Sequence, residues 1–333
     1  MSPPLNLLTD VEGVTVGHAT DLSLGSGVTA IIFGKPAVAS GTVLGGAPGG
    51  RDTALLDPAM TVQTVDAFVL SGGSAFGLDA AGGVQAGLRE TGRGLEVGRA
   101  RVPIVPQAIL FDLLNGGDKN WPRHSPYRDL GYAAFCAASG GAFQLGSVGA
   151  GTGATTATFK GGVGSASART PGGHVVAALV AVNAMGSATI ADGPHFWAAP
   201  FEQHGEFGSL GMPETFDTGL RVKGHNLVAT TIGIVATDAK LSKAECHRLS
   251  LMAHDGLGRA LLPAHLPSDG DTLFAAATGK KLLSAPDSLA QIFHLATLVT
   301  ARAIARGVFE ATSLPFAGAQ PSWRDRFGNL AKS

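Results

Sequence analysis

Thr230 and Thr231 open an apolar run, Thr230 to Asp238, that follows directly on a polar stretch of chain. Paired threonines are ordinary strand composition, but the abrupt change gives them a second reading. If the backbone were cut between Ala229 and Thr230, a hydroxyl and a free α-amine would belong to one residue at the head of a buried strand. A terminal amine has a pKa of roughly 7.7–8.0, so it can act as base for its own hydroxyl near neutral pH without a histidine. Thr231 offers the same hydroxyl, and composition alone does not choose between them.

Other residues have the chemistry to serve such a nucleophile. Asp269-Gly270-Asp271 precedes the run Thr272-Leu273-Phe274-Ala275. Side chains at i and i+2 share a face in extended chain, so both carboxylates can point at one site, or the triplet is a solvent-facing turn. Asn183 ends the apolar run Val175 to Val182, as a turn cap or as an amide donor delivered to a pocket. Lys160 is the only charge between Gln144 and Arg169, either a solvated loop lysine or a functional ammonium.

Two glycine loops complete the set. Gly149-Ala150-Gly151-Thr152-Gly153-Ala154 fits a dinucleotide fingerprint, yet no Asp or Glu occurs between Ala154 and Asp192 to hold a ribose. A loop shaping a catalytic pocket around Gly151 and Thr152 is the better reading. Ser71-Gly72-Gly73-Ser74 resembles a nucleophile elbow in position, but Phe76 stands where the second glycine belongs. A structural turn or a nest of backbone amides at Gly72, Gly73 and Ser74 remains. The ten histidines form no H-x-x-x-H pair, and Cys136 and Cys246 lie too far apart for a Cys-x-x-Cys motif. No metal site or cofactor is expected, and the cysteines fit a reducing compartment.

The chain has 333 residues, enough for two lobes or one large α/β domain. Only 15% of residues are charged against a usual value of about 25%, which excludes a disordered protein. The net charge of −1 carries no block of one sign, so neither nucleic acid nor an anionic membrane is an expected partner. The start lacks the basic and apolar segments of a secretory signal, and a cytoplasmic location is expected. Strands are expected at 28–33, 65–70, 175–182, 230–235 and 272–277, several apolar on both faces and therefore covered on both sides. A helix after Ser74 places Phe76, Ala80, Val84 and Leu88 on one stripe. A second starts at the capping box Ser242-Lys243-Ala244-Glu245 and carries Leu249, Met252, Ala253, Leu257 and Leu261. A third begins near Ser288 and ends near Gly307; its apolar part stops at Arg302, short of the ~20 residues that cross a bilayer. Residues 202–229 read as an exposed linker.

Taken in order, eight segments resemble one family. They are Leu8 to His18, Gly46 to Thr53, Ser71 to Leu78, Pro103 to Pro106, Gly149 to Gly153, Phe159 to Gly162, Thr230 to Asp238 and Asp269 to Ala275. The family is the P1 or S58 group of self-processing peptidases, which includes L-aminopeptidase/D-esterases, β-peptidyl aminopeptidases and the nylon-oligomer hydrolase. The resemblance implies an α/β fold, an αββα sandwich, and self-cleavage into a large subunit, 1–229, and a small one, 230–333, that stay together. It implies Thr230 as nucleophile, its freed amine as base, Asn183 as oxyanion donor, and Lys160 beside the nucleophile. Asp269 and Asp271 would orient it and support self-cleavage. Two positions depart from the family pattern: Ala229 stands where Asn or Gly is frequent, and Phe111 where some members carry a tyrosine hydroxyl. The implied activity is removal of the amino-terminal residue from small peptides, amides or esters through an acyl-enzyme, in dimers or tetramers of αβ units. An acyltransferase passing the acyl group to an amine, as ornithine acetyltransferases do, and an uncleaved ligand-binding protein are the rival readings.

Overall fold

The computed structural model describes residues 4–224, 228–283, 285 and 287–331. Eleven strands occur among them: β1 (Val14–Asp21), β2 (Ser26–Val43), β3 (Gly50–Arg51), β4 (Thr64–Ser71), β5 (Leu95–Val97), β6 (Ala100–Val102), β7 (Gln107–Ile109), β8 (Val163–Arg169), β9 (Val175–Asn183), β10 (Thr230–Ala239) and β11 (Thr272–Lys281). The helices are α1 (Ala80–Glu90), α2 (Tyr127–Cys136), α3 (Lys243–Ala260), α4 (Leu289–Phe309) and the short α5 (Trp323–Phe327). Hydrogen bonding runs β3-β7-β4-β2-β11-β10-β9-β8, with β1 on β2 and a separate β5-β6 hairpin.

The expected strands that are apolar on both faces are buried on both faces. Along β9, Val176, Ala178, Val180 and Val182 point into one core, while Val175, Ala177, Leu179 and Ala181 point into another, as the period of two requires. The first core lies under α3 and α4. The second lies between two layers of strands, where Phe68 of β4 stacks on Phe274 of β11 with ring centroids 4.4 Å apart. A third core joins Val28, Ala30 and Ile32 of β2 and Ala67 and Val69 of β4 to α1 and α2. The order of layers is thus helices, strands, strands, helices, the expected αββα sandwich. The 18-residue β2 serves both strand layers: its first half pairs with β1 and β4, its last residues pair with β11, and the register shifts between Ile32 and Ala37.

Local expectations meet mixed outcomes. The Ser242 capping box forms with both hydrogen bonds, and Leu249, Ala253, Leu257 and Leu261 are buried. The stripe after Ser74 holds only from Ala80 onward. Ser74–Asp79 is a 3-10 segment, whose tighter turn rotates Phe76 out of line to pack edge-on against Trp121, 53% exposed. The last helix does not falter at Arg302: α4 runs 21 residues and has the length and composition to cross a bilayer. It is instead a core helix packed on α3, β8 and β9. Gly164 makes that contact possible, because a Cβ there would lie 1.8 Å from Ala303 O of α4.

The 202–229 segment divides in two. Its first part is folded in, since Glu206 accepts hydrogen bonds from Arg302, Arg306 lies beside it, and Phe207 is buried. Those pairings are also why a charge at 302 does not end the helix. Most residues from Gly211 to Gly224 are exposed; 225–227 lie outside the described residues.

Candidate active site

Strand directions bring the sequence candidates together. β10 is antiparallel to β9 and parallel to β11, so the end of β9 meets the beginnings of β10 and β11. Thr230, first in β10, lies opposite Asn183, last in β9, and Ala229 pairs with Asp269 just ahead of β11. The two threonines alternate. Thr230 shares the face of Ile232 and Ile234, and its hydroxyl donates to Ala229 O at 2.5 Å. Thr231 Oγ1 points the other way and is buried without a hydrogen-bond partner among the described residues.

The intervening Gly270 closes over Thr230. Its N–H donates to Ala229 O at 2.9 Å, and a Cβ on it would stand 2.7 Å from Thr230 Oγ1, so only glycine fits. The carbonyl of Ala229 therefore receives two donors.

Asp269 and Asp271, each 1% exposed, flank this position without meeting at one atom. Asp269 accepts from Met185 N at 3.2 Å and Leu266 N at 3.0 Å. Burial, then the charge of Asp271, pushes its pKa up to about 6, against those amides and Lys223. Asp271 accepts from Thr231 N at 2.8 Å through one oxygen and from His265 through the other. The two carboxylates do not converge on one atom because each is held by different amides, Asp269 by Met185 N and Leu266 N, Asp271 by Thr231 N and His265 N.

Asn183 is fully buried and engaged at both ends. Its Oδ1 accepts from Thr155 N at 3.0 Å and Lys223 Nζ at 2.9 Å, and its Nδ2 donates to Phe111 O at 3.0 Å. An amide carries two N–H groups, so one remains for a ligand. Phe111 supplies a carbonyl here where a tyrosine would supply a hydroxyl. The Lys160 ammonium donates to Gly151 O, Ala154 O and Gly161 O at 2.7–2.9 Å. Burial pushes its pKa down to about 7, opposed by Asp112.

The glycine loops are scaffolds. Gly72 N, Gly73 N and Ser74 N already donate to Gly27 O, Asp112 Oδ1 and Leu110 O, which leaves no open nest. Gly151 and Thr152 are buried in and after a 3-10 turn, with Thr152 Oγ1 on Gly149 O. A cleft of about 430 Å³ opens elsewhere, lined by Phe111, Thr155, Lys223, Val228, Phe316 and Gln320 among others. It reaches the neighbourhood of Thr230 through Thr155 and Lys223, both bonded to Asn183, which lies opposite Thr230.

Sequence reasoning missed Lys223, Asp112 and His265. Lys223 sits in the stretch read as linker, and nothing in its spacing marks it. Burial pushes its pKa down to about 7, against the pull of Asp269 and Asp112. Asp112 is a buried carboxylate bonded to Ser26 Oγ at 2.6 Å and Gly73 N at 2.8 Å; burial raises its pKa despite Lys119 and those bonds. For Lys223 the folded pKa lies below the unfolded one, so between about 7 and about 10.5 the unfolded chain holds more protons, and its contribution to stability rises with pH. Thermal unfolding from pH 7 to 9 should therefore climb less steeply in Lys223→Met than in the parent chain. Parallel slopes would refute a depressed lysine here.

Comparison with known proteins decides what this geometry belongs to. The profile of peptidase family S58 matches residues 6–320. The chain belongs to peptidase family S58. A relative described as an uncharacterised aminopeptidase of Mycobacterium bovis is 42% identical over 97% of this chain and 98% of its own length. Among solved structures, a β-aminopeptidase of a Burkholderia species superposes with a TM-score of 0.71 at 22% identity, over 100% of this chain and 96% of that one. The L-aminopeptidase D-Ala-esterase/amidase of Ochrobactrum anthropi, described as a variant of the Ntn hydrolase fold, gives 0.69 at 20% identity, over 99% and 96%. At that identity the likeness is one of fold. Membership in S58 makes the chain a hydrolase acting on peptide or amide bonds.

Proposed function

We propose that this S58 hydrolase cuts its own Ala229–Thr230 bond and then uses Thr230 as an N-terminal nucleophile on small peptides, amides or esters. The observation that carries the reading is the double engagement of Ala229 O by Gly270 N–H and the Thr230 hydroxyl. Attack of Oγ1 on the Ala229 carbonyl carbon forms a C–O bond and places negative charge on that oxygen, where Gly270 N–H already points. A preorganised donor of this kind is worth about 10²–10³ in rate. The C–N bond then breaks as the Thr230 nitrogen takes the proton given up by the hydroxyl, and water hydrolyses the ester to an Ala229 carboxylate and a free hydroxyl. The product is a threonine whose amine serves as base for the same oxygen on an incoming amide. The free N–H of Asn183, across the ladder from Thr230, is positioned to hold the oxyanion of that second reaction, and the cleft beside Asn183 to hold its substrate.

The purified protein's denatured mass tests this directly. Cleavage should replace 33.6 kDa by fragments of about 23 and about 10 kDa, the smaller beginning at Thr230. A single intact chain lacking amidase activity would reject the reading.

A further inference from the structure

Asp271 reaches the reacting position through Thr231 N, but its other oxygen is held from outside the strand. His265 donates to Asp271 Oδ2 twice, from its backbone N at 3.0 Å and from its ring Nδ1 at 2.8 Å. Asp271 is 1% exposed, while the His265 side chain is 24% exposed and lines a surface cavity of about 320 Å³ with His254 and Arg259. We infer that His265 is the positioning residue through which Asp271 is locked against Thr231 N, and so sets the alignment of Thr230 for self-cleavage and turnover. The inference rests on the proposed function above.

Three features support it. His265 has φ of +59°, a left-handed conformation uncommon for a residue with a Cβ, and that conformation is what brings backbone and ring donors onto one oxygen. A carboxylate only accepts hydrogen bonds, so the ring proton is on Nδ1 and the tautomer is fixed by Asp271. The ring is itself braced by His254, whose centroid lies 5.0 Å away in an edge-on contact and whose Nε2 lies 3.2 Å from Thr42 O. Without the imidazole, a buried carboxylate oxygen keeps one amide partner and becomes free to rotate away from Thr231 N. The Thr230–Thr231 peptide then loses its fixed plane.

The test follows self-cleavage by denatured mass in the parent chain, His265→Ala, His265→Asn, Asp271→Asn and the His265→Ala/Asp271→Asn pair, with thermal unfolding to confirm that each folds. A misplacement of this kind should slow processing by roughly 10-fold or more in His265→Ala. His265→Asn, which retains an amide donor near Nδ1, should recover to within about 3-fold of the parent, since one donor of similar reach replaces another. The double variant should be no slower than Asp271→Asn, because a residue acting only through Asp271 has nothing left to act on. Parent-rate cleavage in His265→Ala, failure of Asn to rescue, or multiplying effects in the double variant would each overturn the inference. Should His265→Ala not fold, His265→Phe, similar in size and without a donor, takes its place. An uncleaved parent chain would overturn the proposed function and this inference together, whereas a cleaved parent with a fast His265→Ala would overturn this inference alone.

Discussion

Thr230→Ala should yield a full-length chain of 33.6 kDa with amidase activity at least ~10⁴-fold below the parent. The fold should survive, because Thr230 contributes one hydroxyl bonded to the preceding carbonyl and a methyl at the head of a strand whose other residues make the core. The informative companion is Thr230→Ser, which keeps Oγ and the N-terminal amine while removing the methyl. It should still process and hydrolyse, within about 100-fold of the parent, since the loss is of packing and rotamer restriction rather than of the attacking atom. Thr231→Ala is the control for the neighbouring threonine. Its hydroxyl has no hydrogen-bond partner among the described residues, so its removal should leave processing intact. If Thr230→Ala were cleaved and Thr231→Ala were not, the nucleophile would be one residue further on, on the opposite face of β10.

The contrast between these two threonines shows where the sequence is legible and where it is not. The layered fold could be read because β9 and β10 carry apolar residues on both faces, and a strand without a polar face must be covered twice. The capping box of α3 could be read because its two hydrogen bonds are made between residues three apart. Thr230, Asn183 and Asp269 could each be singled out because strand ends are visible as composition changes, but it was the family resemblance that joined them in one site. What escaped depends on contacts between distant loops. Lys223 meets Asn183 from 40 positions away, and His265 meets Asp271 by way of a left-handed backbone turn that no local pattern announces. The glycine loops misled for a related reason. Glycine marks a close approach without saying of what, and at Gly72 and Gly153 the approaching group is the Asp112 carboxylate rather than a ligand.

The family resemblance puts the Lys160 ammonium beside the nucleophile, and in the structure it donates to three carbonyls, Gly151 O, Ala154 O and Gly161 O, in a fully buried position. A neutral amine has two hydrogens and the charged form three, so the three acceptors favour the charge that burial and Lys223 oppose, and Asp112 adds to their side. Lys160→Met retains much of the volume but leaves three buried carbonyls without a donor, each costing about 1–3 kcal/mol. Partial relaxation should reduce the total to roughly 3–5 kcal/mol, a large share of the 5–15 kcal/mol typical of a folded domain. The denaturant midpoint of Lys160→Met should fall accordingly at unchanged slope. Processing should fail with it, because Ala154 is joined through Thr155 N to Asn183 and the loop that Lys160 ties down is the one that holds the amide opposite Thr230. Were the ammonium needed chiefly at the nucleophile, the variant would lose processing while keeping its midpoint. The pair of measurements separates a lysine that builds the loop from one that takes part in the reaction.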